Sequence, residues 1–240
     1  HEIHVDGDRL WLASAGFDSV LGYDLSARRF DVGYCVRYGT AARVVAKATR
    51  RRVRPGPSFR RFHPEGRAGP EPGDTSHINS VTCRHGRVHL SGTQLPHVLR
   101  IDDDRLSVYA RVPLGTHNAR PFGDGVIMNN TVGDTVAVGD RDGYLRLEIP
   151  VPRYDEARLR NTDLAGGDAR QAFGRGLSVH AGRYLISGSS PATVSVHDLR
   201  TGRTVLSLNL SMDVRNAIHG LEVWPFPEEC LDRPERSRGR

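Results

Sequence analysis

Four histidines and one arginine are the residues whose types and spacing in this 240-residue chain point to chemistry. Five similar segments align on a Val or a Pro, and the residue four positions earlier forms one column: His1, His77, His117, Arg175 and His219. Neutral imidazole nitrogens suit Fe(II), Cu(II), Zn(II) and Ni(II), whereas Ca²⁺ and Mg²⁺ prefer oxygen ligands. If the column converges in space, its four histidines form a mononuclear transition-metal centre, with iron or copper favoured and zinc as a further candidate.

The arginine in the column points to an anionic substrate. A guanidinium cannot be a metal ligand, but it matches the geometry of a carboxylate or phosphate. We therefore predict that Arg175, with Arg120 nearby in the third segment, orients an anionic group of a small molecule at the metal. Other polar residues beside the column are candidates for substrate binding, with capping of strand ends as the equal alternative: Asn79, Asn118, Arg215 and Asn216.

The same histidines also allow simpler interpretations. They could line a polar channel and bond to neighbouring carbonyl groups, or one of them could act as a general base without any metal. The column by itself does not separate these alternatives from metal binding.

A repeated pattern of short strands would bring these distant residues together. Each copy has a short strand, a Gly-containing turn and further alternating strands, with a period of about 40 residues. Such strands in groups of four predict an all-β fold, a small β-propeller, because each blade has two apolar faces that only neighbouring blades can bury. The first strand of every blade lines the central axis, so the column is expected at one height in the channel.

The number of blades follows from the last copy, which starts at His219 and stops after one strand. Five four-stranded blades are expected, with the missing strands supplied by residues upstream of His1; a four-bladed ring with a spare strand is the alternative. Residues 1–226 form a single domain in this interpretation, with insertions at about 38–76 and 150–174 and a disordered tail at 227–240.

Charge and hydropathy restrict the partners. The net charge of +6 is concentrated between residues 43 and 67, where nine basic residues face Glu65 alone. A basic loop differs from the charged folded face of a nucleic-acid-binding domain, so nucleic acid is not the expected partner. No apolar stretch of about 18 residues and no leader pattern occur, so we expect a cytoplasmic protein that does not bind membranes.

Four short elements resemble those of an uncharacterised bacterial β-propeller family. They are His1-Glu-Ile-His4, His77-Ile-Asn-Ser80, Thr116-His-Asn-Ala-Arg120 and Arg175-Gly-Leu177. Members of that family carry His-Asp, His-x-Asn-Gly, Pro-His-Ser-Pro-Arg and Arg-Gly-Leu in this order. The chain departs from the pattern at Ser80, where Gly is usual, lacks the Pro before His117 and adds His219. This resemblance implies the propeller fold but no activity.

In the design of its site, the column is similar to the carotenoid-cleaving oxygenases, which are propellers that hold non-haem iron with four axial histidines. The analogy favours a metal-dependent oxidoreductase that acts on a small molecule in a biosynthetic pathway. The alternatives are a metal-dependent lyase or hydrolase, and a non-catalytic propeller that binds a ligand or partner.

Overall fold

Seventeen strands pair into four antiparallel sheets in the computed structural model, which describes residues 1–38, 57–163, 170–224 and 226. The strands are β1 (Ile3–Asp6), β2 (Arg9–Ser14), β3 (Ser19–Asp24), β4 (Arg29–Tyr38), β5 (Pro57–Phe62), β6 (Ile78–Arg84), β7 (Arg87–Gly92), β8 (His97–Asp102), β9 (Arg105–Arg111), β10 (His117–Phe122), β11 (Gly125–Asn130), β12 (Thr135–Gly139), β13 (Leu145–Pro150), β14 (Phe173–His180), β15 (Tyr184–Ser190), β16 (Thr193–Asp198) and β17 (Arg203–Asn209). Short 3-10 turns lie at Ala15–Phe17 and Glu156–Arg158. None of the helical segments in the described part of the chain has the length or apolar character needed to cross a membrane.

Each sheet is one blade of a β-propeller, which confirms the predicted all-β class. Blade 1 consists of β1–β5, blade 2 of β6–β9, blade 3 of β10–β13 and blade 4 of β14–β17. The strands of every blade follow one another in chain order, and the first strand is the innermost. Contacts between successive blades run mainly through these inner strands, such as β6 with β1 and β10 with β6.

Tight turns after the inner strands explain why the pattern was readable in the sequence. Asp6 pairs with Arg9 across a two-residue loop that contains Gly7 at φ +59°, and Arg84 pairs with Arg87 across a loop that contains Gly86 at φ +73°. Two-residue hairpin loops need left-handed backbone, which Gly adopts without a steric penalty.

Three apolar clusters fill the spaces between successive blades. The first joins blades 1 and 2 and contains Val20, Val36 and Leu90. The second joins blades 2 and 3, and the third joins blades 3 and 4. Alternation along each strand produces two inward faces per blade, so every internal blade is buried on both sides.

The described residues form four blades and not the expected five. Segment 219–223, expected as the first strand of a fifth blade, is irregular: it lies beside blade 4, where Ile218 donates its backbone N–H to Ser189 O at 3.4 Å. A strand needs a hydrogen-bonded neighbour, and no other strand in the described ranges pairs with this segment. Apolar side chains on the outer faces of the terminal blades are correspondingly exposed, including Ile3 at 64% and Leu206 at 62%.

The predicted insertion at 38–76 contributes a strand to blade 1. Residues 57–62 form β5, which pairs with β4 from Gly33–Phe62 to Tyr38–Pro57. The most basic part of this insertion and the predicted disordered tail at 227–240 lie outside the described residues. The second insertion contains the 3-10 turn at Glu156–Arg158.

Candidate functional site

The inner strands of blades 2, 3 and 4 each contain an irregularity beside the histidine column. Strand pairing shifts register between Ile78 and Ser80, between His117 and Arg120, and between Arg175 and Leu177. A β-bulge bends its strand and redirects the neighbouring side chains. The directions of the column side chains therefore depend on these bulges and do not follow the regular alternation of a strand.

His1 and His77 form one pair, across blades 1 and 2. Their ring centroids are 5.0 Å apart and their planes are inclined by 66°. Nδ1 of His77 lies 2.9 Å from both carboxylate oxygens of Asp74. An ionised carboxylate can only accept hydrogen bonds, so the His77 N–H is the donor. Asp74 thus fixes the orientation of the His77 ring and the position of its proton.

His117 is bound separately, in the interior of blade 3. Its Nδ1 lies 2.9 Å from Thr131 Oγ1 and 3.2 Å from Gly115 O, and since a carbonyl oxygen only accepts, Nδ1 carries a proton. The ring is 5% exposed and packs edge-on against Phe173 at a centroid distance of 5.3 Å. His117 is accordingly held within the protein core.

Arg175 and His219 form the second pair. Nη1 of Arg175 lies 3.1 Å from Nε2 of His219, and its guanidinium lies 4.5 Å from the centroid of the Phe173 ring. Burial lowers the pKa of the His219 imidazole, and the positive charge of Arg175 lowers it further. His219 is therefore held neutral over a wider pH range than an exposed histidine, and it can accept the hydrogen bond from Arg175.

The predicted metal centre is not assembled in this geometry. No group of three or more His, Cys, Asp or Glu side chains lies in a metal-binding arrangement within the described ranges. His1 and His77 form one pair, His117 is bound to Thr131, and His219 is bound to Arg175. Among the described residues, the four histidines therefore do not form the convergent ligand set that a four-histidine iron or copper centre needs, and metal binding stays a prediction.

Asn79 and Asn118 join neighbouring blades. Asn79 donates through Nδ2 to Thr116 O at 3.1 Å, and its Oδ1 accepts from the backbone N–H of Asn118 at 3.4 Å. Oδ1 of Asn118 accepts from the backbone N–H of Gly176 at 2.9 Å and from Asn129 Nδ2 at 3.2 Å. The two side chains are 1% and 4% exposed. Their predicted role in substrate binding stays a prediction, while the contacts they make are structural.

Arg120 lies deeper along the axis and is neutralised by Glu2. Its Nη2 lies 3.3 Å from Glu2 Oε1 and also donates to Leu177 O, while Glu2 Oε2 accepts from the backbone N–H of Val81 at 3.2 Å. This network links Glu2, which directly precedes β1, with the inner strands β6, β10 and β14.

Arg215 and Asn216 bond within their own loop. Arg215 forms an ion pair with Asp213 at 2.6 Å, and Asn216 donates to Ser211 Oγ at 2.9 Å. The Arg215 guanidinium is one reason why the pKa of the Asp213 carboxyl is held far below its usual range. Neither side chain contacts the column in the described structure, and their predicted role in substrate binding remains untested.

Sequence reasoning missed Phe173 and Asp74, which contact members of both pairs. Phe173 precedes Arg175 by two positions and lies against both Arg175 and His117. Asp74 precedes His77 by three positions. A carboxylate three residues before a candidate ligand was a readable signal, whereas the position of Phe173 depends on how blades 3 and 4 pack.

Comparisons with known proteins agree on the fold alone. No family model and no curated protein matches the sequence. The computationally designed Ika8 protein aligns with 92% of this chain and 64% of its own, at 10% identity and a TM-score of 0.51. The WD40 β-propeller domain of Doa1 aligns with 88% of this chain and 69% of its own, at 11% identity and a TM-score of 0.50.

The fold and these similarities define the class of protein as a β-propeller. The chain spans about two thirds of the length of either structure. Identities of 10% and 11% carry no information about function, and they give no support to the resemblance to carotenoid-cleaving oxygenases.

Proposed function

We propose that this β-propeller binds a small anionic molecule at one end of its central axis, with Arg175 as the principal charge partner. We call this place the channel entrance, and it comprises His1, His77, Arg175 and His219. The observation that carries the proposal is the 3.1 Å contact between the Arg175 guanidinium and the His219 ring. It belongs to the ligand-binding class that the sequence left open as an alternative.

The electrostatics of the channel entrance favour an anion. A guanidinium next to an imidazole is a pair in which protonation of the histidine is repulsive, as the lowered pKa of His219 reflects. A bound carboxylate or phosphate would relieve this repulsion and accept hydrogen bonds from both Arg175 and protonated His219.

Phe173 gives the site a fixed geometry. The Arg175 guanidinium stacks over its ring at 4.5 Å, an attraction between a cation and an aromatic face. An arginine held in this way loses less conformational freedom when it binds a ligand than a free surface arginine does. This pre-positioning favours specific binding over a loose counter-ion layer.

Citrate is a suitable probe of this proposal, because it presents several carboxylates. We expect saturable shifts of the His219 ring signals in NMR spectra during a citrate titration. Arg175→Gln should weaken the apparent affinity by about tenfold, the loss of one charge-assisted contact. Arg203→Gln, which removes the same charge from β17, serves as the matched control. Equal weakening by both variants, or no saturation in the wild type, would contradict the proposal.

The metal-dependent oxidoreductase and the lyase or hydrolase remain alternatives that elemental analysis separates from simple ligand binding. A four-histidine centre requires stoichiometric iron or copper, or zinc, that is lost in His117→Ala. We expect less than about one tenth of an equivalent of any transition metal, since structural retention of a bound metal needs several convergent ligands. A full equivalent in the wild type that disappears in His117→Ala would overturn the ligand-binding proposal in favour of the metal centre.

A further inference from the structure

A second basic site lies between blades 2 and 3, at the opposite end of the inner strands from the channel entrance. It is a concave pocket of about 350 Å³. We call it the arginine pocket, after five lining residues: Arg84, Arg87, Arg100, Arg120 and Arg141. Strand β6 runs from Ile78 to Arg84, and seven residues of extended chain span about 20 Å, so the pocket is separate from His77.

The lining of the arginine pocket is unbalanced in charge. Three histidines, His4, His85 and His89, accompany the five arginines, and no Asp or Glu side chain lines the pocket within the described ranges. Two of the arginines have carboxylate partners elsewhere, since Arg87 pairs with Asp102 at 3.0 Å and Arg120 with Glu2 at 3.3 Å. The excess positive charge is consequently carried by the remaining three.

Arg100 and Arg120 are incompletely hydrogen-bonded within the chain. Nε of Arg100 is buried and has no hydrogen-bond partner among the described residues, and Nε of Arg120 is in the same situation. A buried N–H group without a partner is destabilising, and native structures satisfy such groups with protein atoms, water or ligands. The chain therefore does not supply acceptors for every N–H group of these two arginines, and the case for a ligand depends on the charge and shape of the pocket lining.

An aromatic wall closes one side of the pocket. The Arg141 guanidinium lies over the Tyr109 ring at 4.5 Å, and Nη2 of Arg141 lies 3.4 Å from the Tyr109 hydroxyl. The Tyr109 ring also contacts His89 edge-on, at a centroid distance of 4.8 Å. A ligand in this pocket meets forked donors together with an aromatic edge.

His89 reports the positive potential of the same place. Burial lowers the pKa of its imidazole to about 4, with further contributions from the charges of Arg100, Arg87 and Arg141. The ring is therefore neutral at pH 7, and the positive charge of the pocket at that pH belongs to the guanidinium groups.

We propose that the arginine pocket binds a small phosphomonoester, a phosphate group attached to a compact organic substituent. Guanidinium forks match phosphate oxygens in pairs, which makes phosphate the best partner for several arginines at one point. The volume of about 350 Å³ is at the small end of the range for ligand pockets, and the Tyr109 wall suits a ring or methylene group. A nucleic-acid backbone requires basic groups spread along a face, whereas these converge in a crevice.

Phenyl phosphate and inorganic phosphate are the probes, titrated into the whole chain by calorimetry, with sulfate to compare anions and benzoate to compare a carboxylate. We expect saturable binding of phenyl phosphate, weaker binding of inorganic phosphate, and a shift of the His89 ring signal in NMR spectra. Arg100→Gln and Arg141→Gln should each weaken phenyl phosphate binding by about tenfold or more. Arg203→Gln is the control of equal charge, and circular dichroism verifies the fold of each variant.

Other results would overturn the inference. Equal weakening by Arg203→Gln indicates a diffuse charge effect, and absence of binding up to about 10 mM means that the pocket has no such ligand. Weakening by Arg175→Gln but by neither pocket variant assigns the phosphate to the channel entrance. A labelled 20-base-pair DNA is the probe for nucleic acid. If it binds more tightly than phenyl phosphate and its affinity depends on Arg100 and Arg141, the pocket is assigned to nucleic acid. Loss of citrate binding alone contradicts only the channel entrance.

Discussion

Asn118 of blade 3 accepts a hydrogen bond from the backbone N–H of Gly176 in blade 4, with 2.9 Å between Oδ1 and the nitrogen. The two residues occupy the same position in successive copies of the repeat, and both have left-handed backbone, at φ +54° and +71°. The bulge of one inner strand is thus bonded to the bulge of the next. This contact holds the channel entrance and the core of the ring together.

Asn118→Ala should lower the free energy of unfolding by about 1–3 kcal/mol, because the buried N–H of Gly176 loses its acceptor. Urea unfolding measures the change. Asn216→Ala, which removes an exposed asparagine bonded to Ser211, should change the same quantity by less than about 0.5 kcal/mol. Equal effects of both substitutions would mean that the contact between Asn118 and Gly176 does not stabilise the ring.

Gly188→Ala should disturb the channel entrance from behind. A Cβ at this position would lie 2.5 Å from the Arg175 carbonyl oxygen and 2.5 Å from Ile218 Cβ, so strand β14 or the segment before His219 must move. Overpacking of this kind costs about 1–3 kcal/mol. Thermal unfolding and the citrate titration should both show a loss, whereas Gly16→Ala, which meets no atom within 4 Å, should not. An unchanged citrate affinity in Gly188→Ala would show that the position of Arg175 is insensitive to this strand.

Arg175→Gln should raise the pKa of the His219 imidazole. Burial is the first cause of the lowered pKa of His219, and the positive charge of Arg175 is the second. When this charge is removed, protonation of His219 is opposed less strongly and its pKa rises. The Cε1–H chemical shift of His219, followed by NMR as a function of pH, measures the change. Arg203→Gln should leave this pKa where it is. A pKa that stays constant in Arg175→Gln would show that the two side chains are apart in solution.

Stability should fall between pH 7 and pH 5 because of His197, which is buried between Ser187 Oγ at 2.8 Å and Thr204 Oγ1 at 2.9 Å. Burial lowers its pKa from 6.5 to about 4. Below pH 6.5 the unfolded chain takes up a proton that the folded protein rejects until about pH 4, so acid favours unfolding. The contribution is about 2 kcal/mol over this interval.

His197→Gln tests this linkage, because an amide does not titrate. Urea unfolding at pH 7 and pH 5 should show a loss about 2 kcal/mol smaller in the variant than in the wild type. The variant retains the similar dependence that His89 contributes, since the pKa of His89 is also lowered to about 4. Parallel pH profiles of the two proteins would rule out the protonation of His197 as the cause.

Leu206 tests whether the outer face of blade 4 is exposed in solution. Its side chain is 62% exposed on β17, so Leu206→Thr should change the free energy of unfolding by less than about 0.5 kcal/mol. Leu185→Ala, at a fully buried position in the cluster between blades 3 and 4, should cost about 2–5 kcal/mol. A cost for Leu206→Thr as large as that for Leu185→Ala would show that another surface covers this face.

Local signals made most of the blades readable from the sequence. Alternation such as Val88 to Leu90, with left-handed turn residues such as His85 and Gly86, predicts strand, hairpin and strand, because it depends only on neighbours along the chain. The repeat also located two column residues along the chain, since His77 directly precedes β6 and His117 begins β10.

The number of blades was less readable. Segment 219–223 carries the pattern of a first strand, but a strand forms only where a neighbour accepts its hydrogen bonds. Among the described residues the pattern of this segment therefore has no paired strand to match it. The arginine pocket escaped notice for a related reason: Arg84, Arg100 and Arg141 lie on three different strands or loops and share no spacing in the sequence.

The amino-acid order decided the class of fold, the turns and which residues begin the inner strands, since these depend on interactions over a few positions of the chain. The direction of each column side chain was settled only in three dimensions. Register shifts beside His117 and Arg175, and packing against Phe173, separate the histidines into pairs and place one of them in the core. Such contacts join residues that are far apart in the sequence, and no repeat or spacing encodes the angle at which two blades meet.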